Sequence, residues 1–268
     1  MSIKKFNFLI IILLITVFFT TQSSAVEFQG KFIQGHFIIG KTEPGASILV
    51  DKKKVKVSKD GYFAFGIEKE RKLDIVITEE NKSIVKKVLK RKYKIQKIDG
   101  LPGKKVTPPE EFYARIRKEG KLIAEARAID SDLTFFKDKF IIPVDDAIIT
   151  GVYGSQRILN GIPKSPHLGL DFAKPKGTPI KAMNNGIVTL SEKDLYYTGA
   201  TLNFDHGHGV STLYMHMDEI FVNVGDHVKK GDVIGTIGTS GRSTGPHLDI
   251  RLNWFGTRLD PATILNIQ

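Results

Sequence analysis

The sequence predicts a mainly β protein with a small N-terminal β-sandwich, a connecting helix and a C-terminal antiparallel β domain. Short apolar runs separated by glycine-containing turns fill both ends of the chain, and a helical apolar pattern lies between them. The 268 residues are enough for one large domain or two modest ones, each with its own core. We divide the chain into residues 1–25, 26–95, 96–139 and 140–268.

Residues 1–25 have the organisation of a signal peptide. Lys4 and Lys5 precede an apolar run over residues 6–19, and Ser23, Ser24 and Ala25 supply the small residues of a cleavage site. The run is shorter than the ~20 residues that span a bilayer. We therefore expect cleavage after Ala25, export to the periplasm or cell envelope, and no stable membrane span afterwards. A permanent membrane anchor is the alternative.

The amino-acid composition limits which catalytic groups, metal ligands and binding partners the chain can have. The chain has no cysteine, so disulfides, thiolate ligands and a cysteine nucleophile are excluded, and a metal must be held by His, Asp or Glu. The net charge is +11, and removing Lys4 and Lys5 leaves +9. The basic run at residues 86–92 is not interleaved with aromatic residues. This pattern favours contact with anionic envelope polymers over nucleic acid.

Residues 26–95 form the predicted β-sandwich. The predicted strands cover residues 37–40, 47–50, 62–65 and 73–77. Turn sequences at residues 43–45 and 59–61 separate them. This part of the chain has no cluster of histidines and carboxylates, so we expect it to serve binding or spacing.

Residues 96–139 form the predicted linker, with a helix over about residues 107–130. Thr107 is a suitable N-cap, Pro108 fits the first helical position, and Glu110 completes a capping box. An apolar stripe follows at helical spacing: Phe112, Ile116, Ile123 and Ala126. A connector packed on one of the β domains is the simplest interpretation, and a lid over an active-site groove is the alternative.

Residues 140–268 form the predicted antiparallel β domain. Its clearest strands cover residues 187–190, 201–204, 212–215 and 233–237. The segment 224–235 is similar to the half-barrel hairpin of biotinyl and lipoyl carrier domains, but a carrier lysine at the hairpin tip is missing. We interpret it as shared scaffold geometry rather than as a carrier.

Three short segments of this domain read as one metal site. They are residues 167–171 (HLGLD), 214–216 (YMH) and 246–249 (PHLD). A spacing of two places side chains on one face of a strand, and a spacing of four does so on a strand or a helix. Imidazole and carboxylate groups are ligands that zinc accepts. If the segments converge, the chain is a metal-dependent hydrolase.

The ordered motifs resemble those of the lysostaphin-type (LytM-like) zinc metalloendopeptidases, which cut the peptides of cell-wall peptidoglycan. The resemblance covers about residues 142–265 and rests on His167-x-x-x-Asp171, the His216 strand and the segment 244–247 (TGPH). Supporting segments lie at residues 151–154, 174–180, 205–207, 224–235 and 238–241. It implies that His167 and Asp171 bind one zinc ion and that His216 and His247 form the catalytic pair.

The third ligand position departs from the family pattern. The family normally has His-x-His there, whereas this chain has His247-x-Asp249. A second carboxylate makes the site less positive, so bound water is less acidified. We expect Asp249 to ligate zinc in a working enzyme, with manganese as the second choice of ion. The alternative is a catalytically weakened protein that binds peptidoglycan and regulates another cell-wall hydrolase.

Three further side chains near these motifs have open or minor roles. Arg251 shares a strand face with Asp249, and either supports the site or decorates an edge. His206 and His208 flank a glycine in a predicted turn, and we expect them to be exposed, with a metal role as the alternative.

Overall fold

A computed structural model describes residues 26–100, 103–265 and 267. The predicted signal peptide, residues 1–25, lies outside the described residues. Within them the chain is mainly β, as the sequence predicts. In this part of the chain no helix is both long and apolar enough to cross a membrane.

Two antiparallel sheets pack face to face at the N-terminal end. One contains β1 (Glu27–Gln29), β2 (Phe37–Lys41) and β5 (Tyr62–Gly66). The other contains β3 (Ile48–Val50), β4 (Lys53–Val55), β6 (Ile75–Glu79) and β7 (Lys82–Lys86), in the order β4-β3-β6-β7. Alternate residues of both sheets point inward and form one apolar cluster that includes Ile38, Ile48, Phe63, Phe65 and Ile77.

The segment after this sandwich joins the C-terminal part. Strand β8 (Ile95–Ile98) pairs in parallel with β10 (Gln156–Leu159), which pairs with β11 (Ile162–Pro163). The short helix α1 (Gly103–Val106) follows, and Val106 packs against Leu159 and Ile98. Part of the predicted linker is therefore a strand beside the C-terminal domain.

The connecting helix begins later than the capping pattern predicts. Helix α2 spans Tyr113–Arg127 and follows a 3₁₀ turn at Glu110–Phe112, so the assignment of Thr107 as N-cap is wrong. The Pro108-Pro109 pair explains the difference, because Thr107 and Pro108 each precede a proline, and this position disfavours the helical conformation. Pro109 is itself extended, with ψ 149°, so the 3₁₀ turn begins only at Glu110. Through Ile123 and Ala126, α2 packs against the C-terminal sheet.

A ten-stranded antiparallel sheet forms the C-terminal part. Its main path is β17-β14-β15-β16-β19-β12-β9, with β18 joining β13 to β16 and β20 pairing with β19. The strands are β9 (Ile148–Gly151), β12 (Leu170–Ala173), β13 (Pro179–Lys181), β14 (Gly186–Leu195), β15 (Gly199–Gly207), β16 (Val210–Ile220), β17 (His227–Val228), β18 (Val233–Ile237), β19 (His247–Trp254) and β20 (Thr257–Leu259), and helix α3 (Ala262–Leu265) follows.

Apolar side chains from the central strands form the core of this part, among them Leu170, Phe172, Leu202, Leu248 and Ile250. A separate apolar cluster joins it to the N-terminal sandwich and includes Phe37, Ala64, Phe136, Leu252 and Leu259. The opposite face of β12 and β19 is left for polar side chains, and the candidate site lies there.

Candidate active site

Strand pairing brings two carboxylates together. Asp171 on β12 lies directly opposite Asp249 on β19 in the antiparallel register. Directly opposed residues project to the same side of a sheet with their Cβ atoms ~4.5–5.5 Å apart. Both side chains are buried, with only 6% and 1% of the two residues exposed.

His167 completes this cluster from the segment that leads into β12. Its backbone N–H donates to the Ser155 carbonyl at 2.8 Å, which fixes the approach of the chain. Its Nε2 lies 3.2 Å from Asp171 Oδ1 and 3.6 Å from Asp249 Oδ2. Ligand atoms of the three residues lie within 4.8 Å of one another, so these residues are the ones that could hold a metal ion.

Two atoms of the cluster have no hydrogen-bond partner among the described residues. They are His167 Nε2 and Asp171 Oδ1, and both are buried. Most buried polar atoms in proteins are hydrogen-bonded, so two adjacent exceptions need an explanation. Both are atoms of the type that binds zinc, and the cluster therefore fits a cation.

Arg251 holds Asp249 from the same strand face. Its Nε and Nη2 donate to the two carboxylate oxygens of Asp249, each at 2.7 Å. Burial alone would raise the pKa of Asp249, but the charge and the hydrogen bonds of Arg251 outweigh burial and hold that pKa below its usual value. Asp249 is thus ionised, and each oxygen keeps a lone pair for a further contact.

A second arginine, Arg157 on β10, contacts His167 and Asp171. Its Nη2 lies 2.6 Å from His167 Nδ1 and 3.5 Å from Asp171 Oδ2. A guanidinium only donates, so Nδ1 accepts and a neutral imidazole then carries its proton on Nε2. A metal ion at Nε2 requires the proton to leave that atom, so binding would require Arg157 to withdraw from Nδ1.

Burial also determines the charges of His167 and Asp171. It lowers the pKa of His167 to about 3, so the ring is neutral near pH 7. Burial raises the pKa of Asp171 to about 8, and the negative charge of Asp249 adds to the effect. A bound cation would reverse this shift, because it favours the ionised carboxylates.

His216 faces the same site from a distorted position on β16. Its φ of 62° is in the left-handed region, and the pairing register with β15 shifts beside it. Such a bulge re-aims one side chain of a strand. The ring Nδ1 donates to the Ser240 carbonyl at 2.8 Å, which leaves Nε2 as the acceptor, and burial lowers the pKa of His216 to about 4.

His247 lies beside it at the start of β19. The two ring centroids are 4.8 Å apart. The Nδ1 of His247 donates to the Gly245 carbonyl at 2.9 Å, so its Nε2 is also an acceptor when the ring is neutral. Among the described residues, neither Nε2 has a hydrogen-bond partner, so two imidazoles beside the candidate metal site can accept and return a proton.

These side chains border one cleft of about 300 Å³. Asp171, His216 and His247 line it, and Gln96 and Ile98 of β8 supply part of its wall. The five residues predicted from the sequence therefore come together, since His167 and Asp249 lie against Asp171. Sequence reasoning missed Arg157 and the β8 wall, because no local pattern marks them as neighbours of the site.

Gly169, between the candidate ligands His167 and Asp171, has a spatial role that the sequence alone did not show. A Cβ at this position would overlap Asp249 Oδ1 and lie 2.6 Å from Arg251 Cδ. Glycine therefore lets the chain before β12 pass close to the carboxylate and guanidinium pair.

His206 and His208 are buried, so the expectation that they are exposed is wrong. His206 lies one residue before the end of the central strand β15, and its ring forms hydrogen bonds with the Asn185 carbonyl at 2.7 Å and Thr212 Oγ1 at 2.8 Å. His208 packs beside the ring of Phe136, with centroids 4.8 Å apart. Within the described residues, neither belongs to a potential metal-binding group.

Comparison with known proteins identifies relatives among the peptidases. Residues 165–261 match the model of peptidase family M23. The chain is 38% identical over 98 residues to DD-carboxypeptidase/endopeptidase Mpg of Neisseria meningitidis serogroup B, which is 37% of this chain and 22% of that protein. It is 40% identical over 88 residues to peptidoglycan DD-endopeptidase ShyA of Vibrio cholerae, which is 33% of this chain and 20% of that protein.

A structural relative extends over more of the chain. A crystal structure from Pseudomonas aeruginosa assigned to peptidase M23 covers 89% of this chain and 96% of its own, with 25% sequence identity and a TM-score of 0.66. The chain spans only about a fifth of the length of the two curated relatives.

Proposed function

Because the C-terminal part of this chain belongs to peptidase family M23, we propose that the protein is a zinc metalloendopeptidase that hydrolyses peptide bonds in peptidoglycan. The observation that carries the proposal is the cluster of His167, Asp171 and Asp249, whose buried, unpartnered ligand atoms lie beside the His216 and His247 pair. Two relatives named as endopeptidases support the reaction, and ShyA supports peptidoglycan as the substrate.

The proposed division of labour follows from hydrogen bonding. His167, Asp171 and Asp249 would hold one zinc ion, and manganese is the second choice. Zinc, when bound, supplies Lewis-acid activation of the scissile carbonyl and of water. Among the described residues, His216 Nε2 and His247 Nε2 have no hydrogen-bond partner, so one ring would take the proton of the attacking water and pass it to the amine that leaves. The other ring would donate from Nε2 to the developing oxyanion when it has taken up a proton from solvent.

The proposed setting is the cell envelope. The charged and apolar N-terminal sequence favours export, and the basic chain favours contact with anionic envelope polymers. The peptides of the wall would be cut at cross-bridges or stems during remodelling.

One observation favours a second candidate, a weakened homologue that binds peptidoglycan and regulates another hydrolase. Arg251 occupies both oxygens of Asp249, and Arg157 donates to His167 Nδ1. These contacts neutralise the ligands without a metal ion, so they oppose metal binding.

Metal analysis and peptidoglycan digestion together test the proposal. We expect the purified wild type to hold about one zinc per chain and to release peptides from isolated peptidoglycan. Asp249→Ala should lose both, whereas His216→Ala should keep the metal and lose turnover. His227→Gln is the matched control, because His227 is an exposed imidazole away from the cleft.

Three outcomes would contradict this scheme. Full metal retention by Asp249→Ala would remove Asp249 from the ligands. Turnover by His216→Ala would remove His216 from the catalytic pair. A wild type that binds peptidoglycan without metal and without cleavage would favour the regulatory candidate. Separately from these three, a gain of activity in Asp249→His would show that the natural site is attenuated.

A further inference from the structure

A third arginine, Arg242, borders the cleft, and among the described residues no carboxylate forms an ion pair with it. Arg242 lies in the loop between β18 and β19, where its backbone N–H donates to the Tyr197 carbonyl at 2.8 Å. Its guanidinium lies over the Tyr197 ring, 4.3 Å from the centroid. The loop is thus anchored, and the guanidinium is held at the cleft rather than free in solvent.

Arg242 differs from the other two arginines of the cleft, Arg157 and Arg251, in its contacts with carboxylates. Arg157 lies 3.5 Å from Asp171 and Arg251 lies 2.7 Å from Asp249. No carboxylate of the described residues lies within 4.0 Å of the Arg242 guanidinium, and no described residue accepts a hydrogen bond from it. Burial lowers the pKa of Arg242, so this cation is partly desolvated without an anion to compensate it.

Arg242 also joins two clefts. It lines the cleft of His216 and His247, and it lines a neighbouring cleft of about 370 Å³. Among the described residues that line the neighbouring cleft there are three cations, Arg157, Lys164 and Arg242, and no carboxylate. A substrate that extends from the catalytic histidines toward this side meets positive charge.

We propose that Arg242 binds a free carboxylate of the substrate, so that the site selects peptides that carry a carboxylate close to the bond to be cut. The idea rests on the proposed function, because it assigns the substrate class of the same cleft. A guanidinium pairs with a carboxylate through two parallel hydrogen bonds, and the planar fork of Arg242 has its donors available. A neutral peptide, such as a glycine chain, would leave the cation unpaired.

The test compares two forms of one substrate. Soluble cross-linked peptides released from peptidoglycan are divided, and one half is treated with a carbodiimide and ammonium chloride, which turns each free carboxylate into a neutral carboxamide. Binding of both forms is measured by calorimetry in EDTA, where metal-dependent cleavage does not occur. Values of kcat/KM are then measured with zinc.

We expect the wild type to prefer the carboxylate form by about 10- to 100-fold, the range of one charge-assisted hydrogen-bonded pair. Arg242→Gln should lose the preference, and Arg242→Lys should keep part of it because the charge remains. Lys229→Gln, which removes an exposed cation far from the cleft, should behave as the wild type. Circular dichroism establishes that each variant is folded.

The outcomes separate this inference from the proposed function. Equal binding of the two forms by the wild type, or an unchanged preference in Arg242→Gln, overturns the role of Arg242 even if peptides are cleaved. Binding that depends on Arg242, in a wild type that cleaves neither form, supports the carboxylate site while the proposed peptidase function fails.

Discussion

Replacing Arg251 by methionine tests how the buried carboxylate of Asp249 is stabilised. Asp249 is 1% exposed and would lose two hydrogen bonds of 2.7 Å together with its countercharge. Removal of one partner of a buried ion pair typically costs about 3–5 kcal/mol. Asp249 can limit the cost by taking up a proton, so we expect the metal-free variant to lose about 3 kcal/mol of its free energy of unfolding near pH 7.

Zinc should change this result, because a dication supplies the charge that Arg251 supplied. A ligand that binds the folded state stabilises it by RT ln(1 + [L]/Kd). Every tenfold gain in zinc affinity therefore adds about 1.4 kcal/mol at saturating zinc. We expect zinc to stabilise Arg251→Met by more than it stabilises the wild type, since the metal no longer competes with a guanidinium for Asp249.

The assay is urea unfolding followed by circular dichroism, in EDTA and in excess zinc. Lys181→Met is the control, because it breaks the exposed 2.5 Å pair of Lys181 with Asp145, which should contribute less than about 1 kcal/mol. The reasoning is refuted if the metal-free Arg251 variant is as stable as the control. It is refuted as well if zinc stabilises the variant and the wild type equally.

Substitutions at three other positions give predictions of stability and zinc binding. Burial lowers the pKa of His206 from 6.5 to about 4, so the unfolded chain takes up a proton first and about 3 kcal/mol of stability is lost as the pH falls from 6.5 to 4. His206→Gln should lack this loss, and urea unfolding at pH 7 and pH 4 measures it. Gly169→Ala should disturb the Asp249 and Arg251 pair and cost about 1–3 kcal/mol together with zinc affinity, and unchanged zinc titrations would contradict it. Tyr214→Phe removes the acceptor of the buried Met183 N–H, now at 2.8 Å, and should cost about 1–3 kcal/mol, with faster hydrogen exchange at that amide as the check.

The parts of the site that share a strand could be predicted from spacing alone. Asp249 and Arg251 alternate along β19 with apolar residues of the core, so a period of two puts both side chains on the opposite face. The opposition of Asp171 and Asp249 depends on the register of β12 with β19, which is set by strands far apart in sequence. The motifs therefore indicated the candidate ligands, and only tertiary pairing showed that these side chains meet.

Features that depend on pairing between strands far apart in the chain could not be predicted from the sequence. Strand β8 pairs in parallel with β10, and Gln96 lies opposite Arg157 although they are far apart along the chain. The start of α2 at Tyr113 was missed for a local reason, because the capping residues at Thr107 match the pattern while the following prolines prevent the helix. The glycine next to His206 suggested an exposed turn, but His206 lies on the buried strand β15 and is therefore buried.

The choice between enzyme and regulator comes down to a competition for the same oxygen and nitrogen atoms. Without a metal ion, Arg251 compensates Asp249, and Arg157 donates to the Nδ1 of His167. These contacts compensate the charge of Asp249 and occupy Nδ1 of His167, whereas a cluster of unpaired carboxylates would repel one another. Zinc must therefore offset the loss or rearrangement of these contacts as well as the hydration of the ion. We therefore expect this site to bind metal more weakly than the same three ligands would without the arginines, so that Arg157 and Arg251 as well as Asp249 affect the zinc affinity.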